Sequence, residues 1–221
     1  MKAKRKLQSS EIFILPERTF TQDRSRRTYQ ALIEAAYHVF GDKGYDAAQT
    51  PDIAARAKVS VGTFYRYFND KHEVFLEIMQ MHLSAGQAEV MSKLDPAKLV
   101  GKQSRATIEH TLAVLLDRVT RFPALEQVFQ SMSLRDPDVG RLRRRMEESS
   151  CRQIAQLLEV ICSREVVPDP EAMAYVIHTA VVECAIHIAG FRGRNTLPRD
   201  RALHALTDMI YRALFAGTPD V

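Results

Sequence analysis

The chain has no tryptophan and only three cysteines, Cys151, Cys162 and Cys184. An odd count without a C-x-x-C pair excludes a disulfide framework and a zinc-ribbon spacing. If Cys151 and Cys162 share one helix, they stand roughly 16 Å apart along it, too far to bridge. Reduced thiols in a cytoplasmic protein are therefore expected. Apolar alternation with period two is nearly absent, which argues against a sheet. The short apolar patch Ile12, Phe13, Ile14, Leu15 is too brief for a signal-peptide core. The most apolar window, Ala172 to Ala189, contains His178, Glu183 and His187, so it suits a buried helix better than a membrane span. G-x-S-x-G, G-x-x-x-x-G-K-S/T, H-E-x-x-H and G-x-G-x-x-G are all missing, and the histidines are scattered. No enzymatic activity and no cofactor are expected.

What is present begins with charge. The net charge is +4 over 221 residues, and it is unevenly spread. Residues 1–72 hold 13 Lys/Arg against 8 Asp/Glu, whereas residues 73–221 hold 18 against 19. A basic head on a neutral body suggests that the head meets a polyanion. Hydrophobic residues make up 46% of the chain, enough for a sizeable core. Residues 1–23 are basic and aperiodic and read as an N-terminal arm. Residues 24–72 read as this basic head, and 73–221 as a separate, near-neutral body.

Helix signals dominate from Arg24 onward. The first helix is expected over 24–42, with Gly41 and Gly44 ending it. A second starts at Thr50-Pro51, with Thr50 as cap. A third runs from Val61 to Phe68, capped by Ser60. A fourth follows Asn69 or Asp70, with Val74, Phe75, Ile78, Met81, His82 and Ala85 on one face. Further helices are expected at about 103–121, 123–133, 137–164, 170–191 and 199–216, bounded by prolines and glycines. The expected fold is all-α, about nine helices, with a three-helix head on a helical-bundle body.

Two short helices joined by a tight turn and packed on a longer one make a helix-turn-helix. At 100° per residue, Val61, Phe64 and Phe68 fall together and are expected to face the core. Gly62, Thr63 and Arg66 fall opposite, with Tyr65 and Tyr67 at the edges. That face offers bare backbone, a hydroxyl, a guanidinium and phenols, the groups that reach bases and phosphates in a major groove. Lys71, in the first turn of the fourth helix, is placed to share a phosphate with the helix N–H groups. Arg24, Arg26 and Arg27 are placed for phosphate or a minor groove.

The ordered run Gly44-Tyr45, then Ile53-Ala54-x-x-Ala57-x-Val59-Ser60-x-Gly62-Thr63-Phe64-Tyr65-x-Tyr67-Phe68-x-x-Lys71, resembles the TetR family signature over about 50 residues, Arg24 to Phe75. The resemblance implies a homodimeric, one-component regulator, usually a repressor, released from its operator by a small ligand. It implies DNA contacts from Thr63, Tyr65, Tyr67, Lys71 and the residue at Thr50. Two departures stand out. Lys58 occupies a turn position that the family often fills with glycine, where positive φ would cost a lysine about 1 kcal/mol. Ala48-Gln49 replaces the usual threonines before the second helix, which leaves Thr50 as the hydroxyl there. With Lys58, Ser60 and Val61 beside these positions, the whole segment from turn to recognition helix is the candidate interface with double-stranded DNA.

The body resembles the family in helical layout. The 170–191 helix is apolar on nearly all sides, and the 199–216 helix repeats this, so one side of each is expected to meet a second copy. A palindrome reader needs two recognition helices about 34 Å apart. A small, largely apolar effector is expected among Leu112, Leu116, Phe122, Phe129 and Met132. Cys151, His178 and Glu183 are the polar or soft groups there. Glu183 and His187 are one turn apart, but His178 points about 180° away from His187 on the same helix, so no metal is expected. The run Arg141, Arg143, Arg144, Arg145 is expected to be a solvated face. The alternative to a DNA-binding regulator is a helical adaptor or enzyme that keeps the fold without reading DNA.

Overall fold

The computed structural model describes residues 22–191, 193 and 197–215. The expected arm therefore lies almost wholly outside the described residues. Within them the chain is all-α, with ten helices and no strand. They are α1 (Asp23–Ala47), α2 (Thr50–Arg56), α3 (Val61–Tyr65), α4 (Lys71–Met91), α5 (Pro96–Leu99), α6 (Ser104–Arg121), α7 (Pro123–Arg135), α8 (Pro137–Ile161), α9 (Pro170–Ile188) and α10 (Arg199–Phe215).

Three of these helices begin on the same dipeptide. Asp95, Asp136 and Asp169 each accept a hydrogen bond from a backbone N–H of the first turn, and a proline follows each at the first helical position. The aspartate satisfies an N–H that has no partner within the helix, and the proline has none to satisfy. The expected count missed α5 because four residues are too few to show a period. Its Asp95-Pro96 start was the available signal.

The chain divides into two compact units, the first ending at Ser84 and the second beginning at Ala85, so α4 contributes residues to both. In the first unit, Leu32, Ala36 and Phe40 of α1, Ile53 and Ala54 of α2, Phe64 and Phe68, and Val74, Phe75 and Ile78 of α4 are all buried. Phe40, Tyr45 and Phe75 form an aromatic knot with ring centroids 5.0–5.7 Å apart. The buried face of α4 differs from the expected one. Met81 and Ala85 are exposed, while Glu77 and Gln80 are buried. The Glu77 carboxylate accepts a hydrogen bond from the Tyr29 hydroxyl, which satisfies a buried acceptor.

The second unit packs α8 on α9, α6 on α10 and α7 on α8. Its core joins Leu112, Leu116, Leu158, Val181, Ala185, Leu206 and Ile210. At Gly86 a Cβ would lie only 1.8 Å from Nε of Arg118, so the guanidinium occupies the notch that the glycine leaves in α4. Arg118 also donates to Glu89 at 3.4 Å. Burial pulls the Arg118 guanidinium below its ordinary pKa, against the opposing pull of Glu89. The arginine run on α8 is not uniformly solvated. Arg143 turns inward, donating to Gln130 Oε1 at 3.0 Å and Ser133 Oγ at 3.2 Å.

Two other boundaries moved. Gly41 lies inside α1, which runs on to Ala47 across a kink at Gly44, where φ is 74°. The recognition helix stops at Tyr65 rather than Phe68.

Candidate nucleic-acid interface

The start of α2 is capped by Gln49 rather than by Thr50. Gln49 and Asp52 form a capping box, and Thr50 and Pro51 take the first helical positions. The Asp52 carboxylate also meets Lys43 at 2.9 Å. That hydrogen bond, and then the one from the Gln49 N–H, hold the carboxyl below its ordinary pKa. The sequence signal for this box was Gln-Thr-Pro-Asp, with an acid three residues after the cap. Freed from capping, the Thr50 hydroxyl lies 3.2 Å from the Tyr65 hydroxyl. The two residues expected to contact DNA from different helices thus share one point.

The turn between α2 and α3 follows the pattern of a Schellman motif. The Val59 N–H donates to Ala54 O at 3.0 Å and the Lys58 N–H to Ala55 O at 3.1 Å. This geometry requires a left-handed residue after the cap, and Lys58 takes it with φ of 57°. The turn therefore keeps the shape that glycine would give it, at a cost of about 1 kcal/mol. Lys58→Gly is expected to raise the stability of the first unit by about that amount, read as a higher urea midpoint with an unchanged slope. An unmoved midpoint would mean that the lysine carries no strain.

Ser60 caps α3 by accepting from the Thr63 N–H at 3.1 Å, and the two hydroxyls meet at 2.9 Å. Gly62 is exposed, and a Cβ there would meet only Ser60 Oγ, at 3.8 Å. Nothing inside the protein requires glycine at this position. Arg66 is exposed at the C-terminal cap of α3. Tyr65 is 53% exposed. Tyr67 is half-buried, its ring centroid 6.5 Å from that of Tyr29. Val61 departs from expectation. It was placed in the core but is 38% exposed. A helix of five residues turns too little for a full inward stripe, so Phe64 alone anchors it, with Phe68 in the turn beyond. Arg26 pairs with Asp23 at 3.1 Å, and Arg27 is exposed.

Lys71 opens α4, where Asp70 accepts from the Glu73 N–H at 2.8 Å. Its ammonium does not project outward as expected. It donates to Tyr45 O at 3.0 Å, Asp46 O at 3.2 Å and Ala48 O at 2.9 Å.

Of the expected effector residues, Leu112 and Leu116 sit in the core of the second unit, and Phe129 and Met132 are buried on α7. Phe122 lies between α6 and α7 and is 37% exposed. Cys151 and Glu183 are half-buried. Burial pushes all three thiols above their ordinary pKa. His178 is half-buried as a residue, yet its Nδ1 is shut away without a hydrogen-bond partner. Burial pulls its imidazole below the ordinary value of 6.5. On α7 the Glu126 carboxyl is pushed up by burial, although it accepts from Gln130 at 2.8 Å.

Residues 32–78 match the family described as bacterial regulatory proteins, tetR family. The chain is 28% identical over 108 residues to the transposon Tn10 TetC protein of Escherichia coli, covering 48% of this chain and 54% of that one. It is 25% identical over 118 residues to the HTH-type transcriptional repressor KstR of Mycolicibacterium smegmatis, covering 53% of this chain and 56% of that one. The matches thus span about half the length of these relatives. A solved structure from Mesorhizobium loti MAFF303099, assigned to the TetR family of transcriptional regulators, shares the fold. Its TM-score is 0.71 at 20% identity, over 86% of this chain and 98% of that one. Residues 32–78 are therefore similar to the head of the tetR family of bacterial regulatory proteins, and the chain shares the fold of that solved structure.

Proposed function

We propose that this chain is a cytoplasmic transcriptional repressor that binds a palindromic DNA operator as a homodimer and is released by a small, largely apolar effector. The observation that carries the reading is the face of the head around α3. Gly62 is open to the outside, Arg66 and Tyr65 project from it, and the Thr50 and Tyr65 hydroxyls meet beside it. Such a face allows close backbone approach to a duplex and offers both phosphate and base-edge partners.

The dimer is supported by α9 and α10. The most apolar stretch of α9 has a mean hydropathy of 1.2, enough in length and composition for a membrane span. One side of α9 lies in the core through Ala174, Val181 and Ala185, while Tyr175 and Val176 on the other are 57% and 58% exposed. Met209 of α10 is 45% exposed. An apolar helix covered on one side only calls for a partner on the other, and a second copy brings the second recognition helix that a palindrome needs. The effector reading draws on His178. A buried imidazole nitrogen without a partner is a natural hydrogen-bonding point for a guest otherwise held by apolar contacts.

Binding to duplex DNA selected from a random pool tests this, followed by fluorescence anisotropy against salt. We expect a dimer of the 25.1 kDa chain in sedimentation equilibrium. We also expect log K to fall with log salt at a slope of roughly −0.9 per phosphate neutralised. A monomer, or binding to no duplex in the pool, would defeat the reading.

A further inference from the structure

We propose that Lys71 is a positioning residue of the reading head, a clasp that sets where α2 and α3 stand, and not a phosphate contact. This rests on the DNA-binding reading above. The sequence resemblance points Lys71 at the DNA, whereas the geometry points it inward.

An ammonium has three N–H donors. Here three carbonyl oxygens stand within 3.2 Å of Nζ: those of Tyr45, Asp46 and Ala48. Nζ also lies 4.8 Å from the centroid of the Tyr45 ring, close enough for a cation–π attraction. The side chain is half-buried. A phosphate could take this ammonium only by breaking one of those bonds.

Helix α1 kinks at Gly44, and Tyr45, Asp46 and Ala48 lie beyond the kink, where the helix ends. A lysine reaching across from another helix donates to their carbonyls and favours the negative end of the helix dipole. The bond to Ala48 does more. Ala48 is fully buried and immediately precedes Gln49, the cap of α2. Thr50 follows, and its hydroxyl meets Tyr65 on α3. Lys71 therefore fixes the short link that sets the start of α2, and through it the outward face of α3.

The test uses the full chain with Lys71→Met, which keeps the stem and removes the ammonium, and Lys71→Arg. The probe is the duplex that the wild-type protein selects from a random pool, and salt is varied. For Lys71→Met under conditions where it remains folded, we expect affinity to fall about tenfold at every salt concentration with an unchanged slope. Lys71→Arg is expected to restore less than half of that loss, because a planar fork cannot aim at three converging carbonyls. Amide exchange across residues 48–56 should quicken in Lys71→Met while α8 stays unchanged.

A slope reduced by about 0.9, with full rescue by arginine, would make Lys71 a phosphate contact and overturn the proposal. Unchanged affinity of the folded variant would also overturn it, leaving a purely structural lysine. If the wild-type protein selects no duplex, the DNA reading fails on its own. Amide exchange then decides the clasp: unaltered exchange at 48–56 sinks it, and faster exchange there supports it.

Discussion

Phe64→Ala is expected to destabilise the first unit by about 3–5 kcal/mol, a large fraction of the stability of a folded unit. Phe64 is fully buried. Its ring sits 5.5 Å from Tyr65 and 5.6 Å from Phe68, centroid to centroid. Within α3 it is the only buried side chain. The cost is high because the helix has no second anchor to share the loss. Val61→Ala is the matched control. It removes an apolar side chain that is already partly in solvent, so it should cost no more than about 0.5 kcal/mol. Paired urea titrations followed by circular dichroism decide the matter. Comparable losses from both substitutions would mean that α3 is held by an inward stripe after all.

The second large effect concerns reading rather than folding. Arg66→Ala is expected to weaken binding to the selected duplex by roughly 5- to 150-fold and to relax the preference for guanine at one position per half-site. Arg66 is exposed at the end of α3, between the buried anchors Phe64 and Phe68 two positions to either side. Its two parallel donors match the O6 and N7 acceptors of guanine in the major groove. A lysine in its place would keep the charge but lose the fork, so Arg66→Lys should recover the salt slope without recovering the base preference. Selection from a random pool, repeated with each variant, measures both quantities. A uniform loss across all sequences would reassign Arg66 to the phosphate backbone.

Much of the head was legible in the sequence because its signals are local. Ser60 as a cap, the left-handed position at Lys58 and the outward placement of Gly62 and Arg66 each depend on a few adjacent residues. The exposure of Val61 was not legible. Its placement assumed that α3 continued to Phe68, and helix length is set by packing that periodicity does not report. The role of Lys71 was hidden for a different reason. It depends on the kink at Gly44, which brings the carbonyls of residues 45–48 to a lysine more than twenty positions away. In the body, the apolar character of α9 was plain, because a stripe on every side shows in the sequence. Whether Leu112 and Leu116 line a guest site or fill the core was not, since both uses select the same residue types.

The notch at Gly86 has a mechanical consequence. Glycine inside a helix costs about 1 kcal/mol relative to alanine, because it leaves the backbone freer in the unfolded chain. The segment of α4 around Gly86 is therefore weak by itself and is stiffened from outside by the Arg118 guanidinium seated in the gap. The rigidity of α4 just past Ser84 is then a property that Arg118 lends to it. Whatever draws that guanidinium away, including a guest that competes for its charge, makes the helix compliant at one chosen residue.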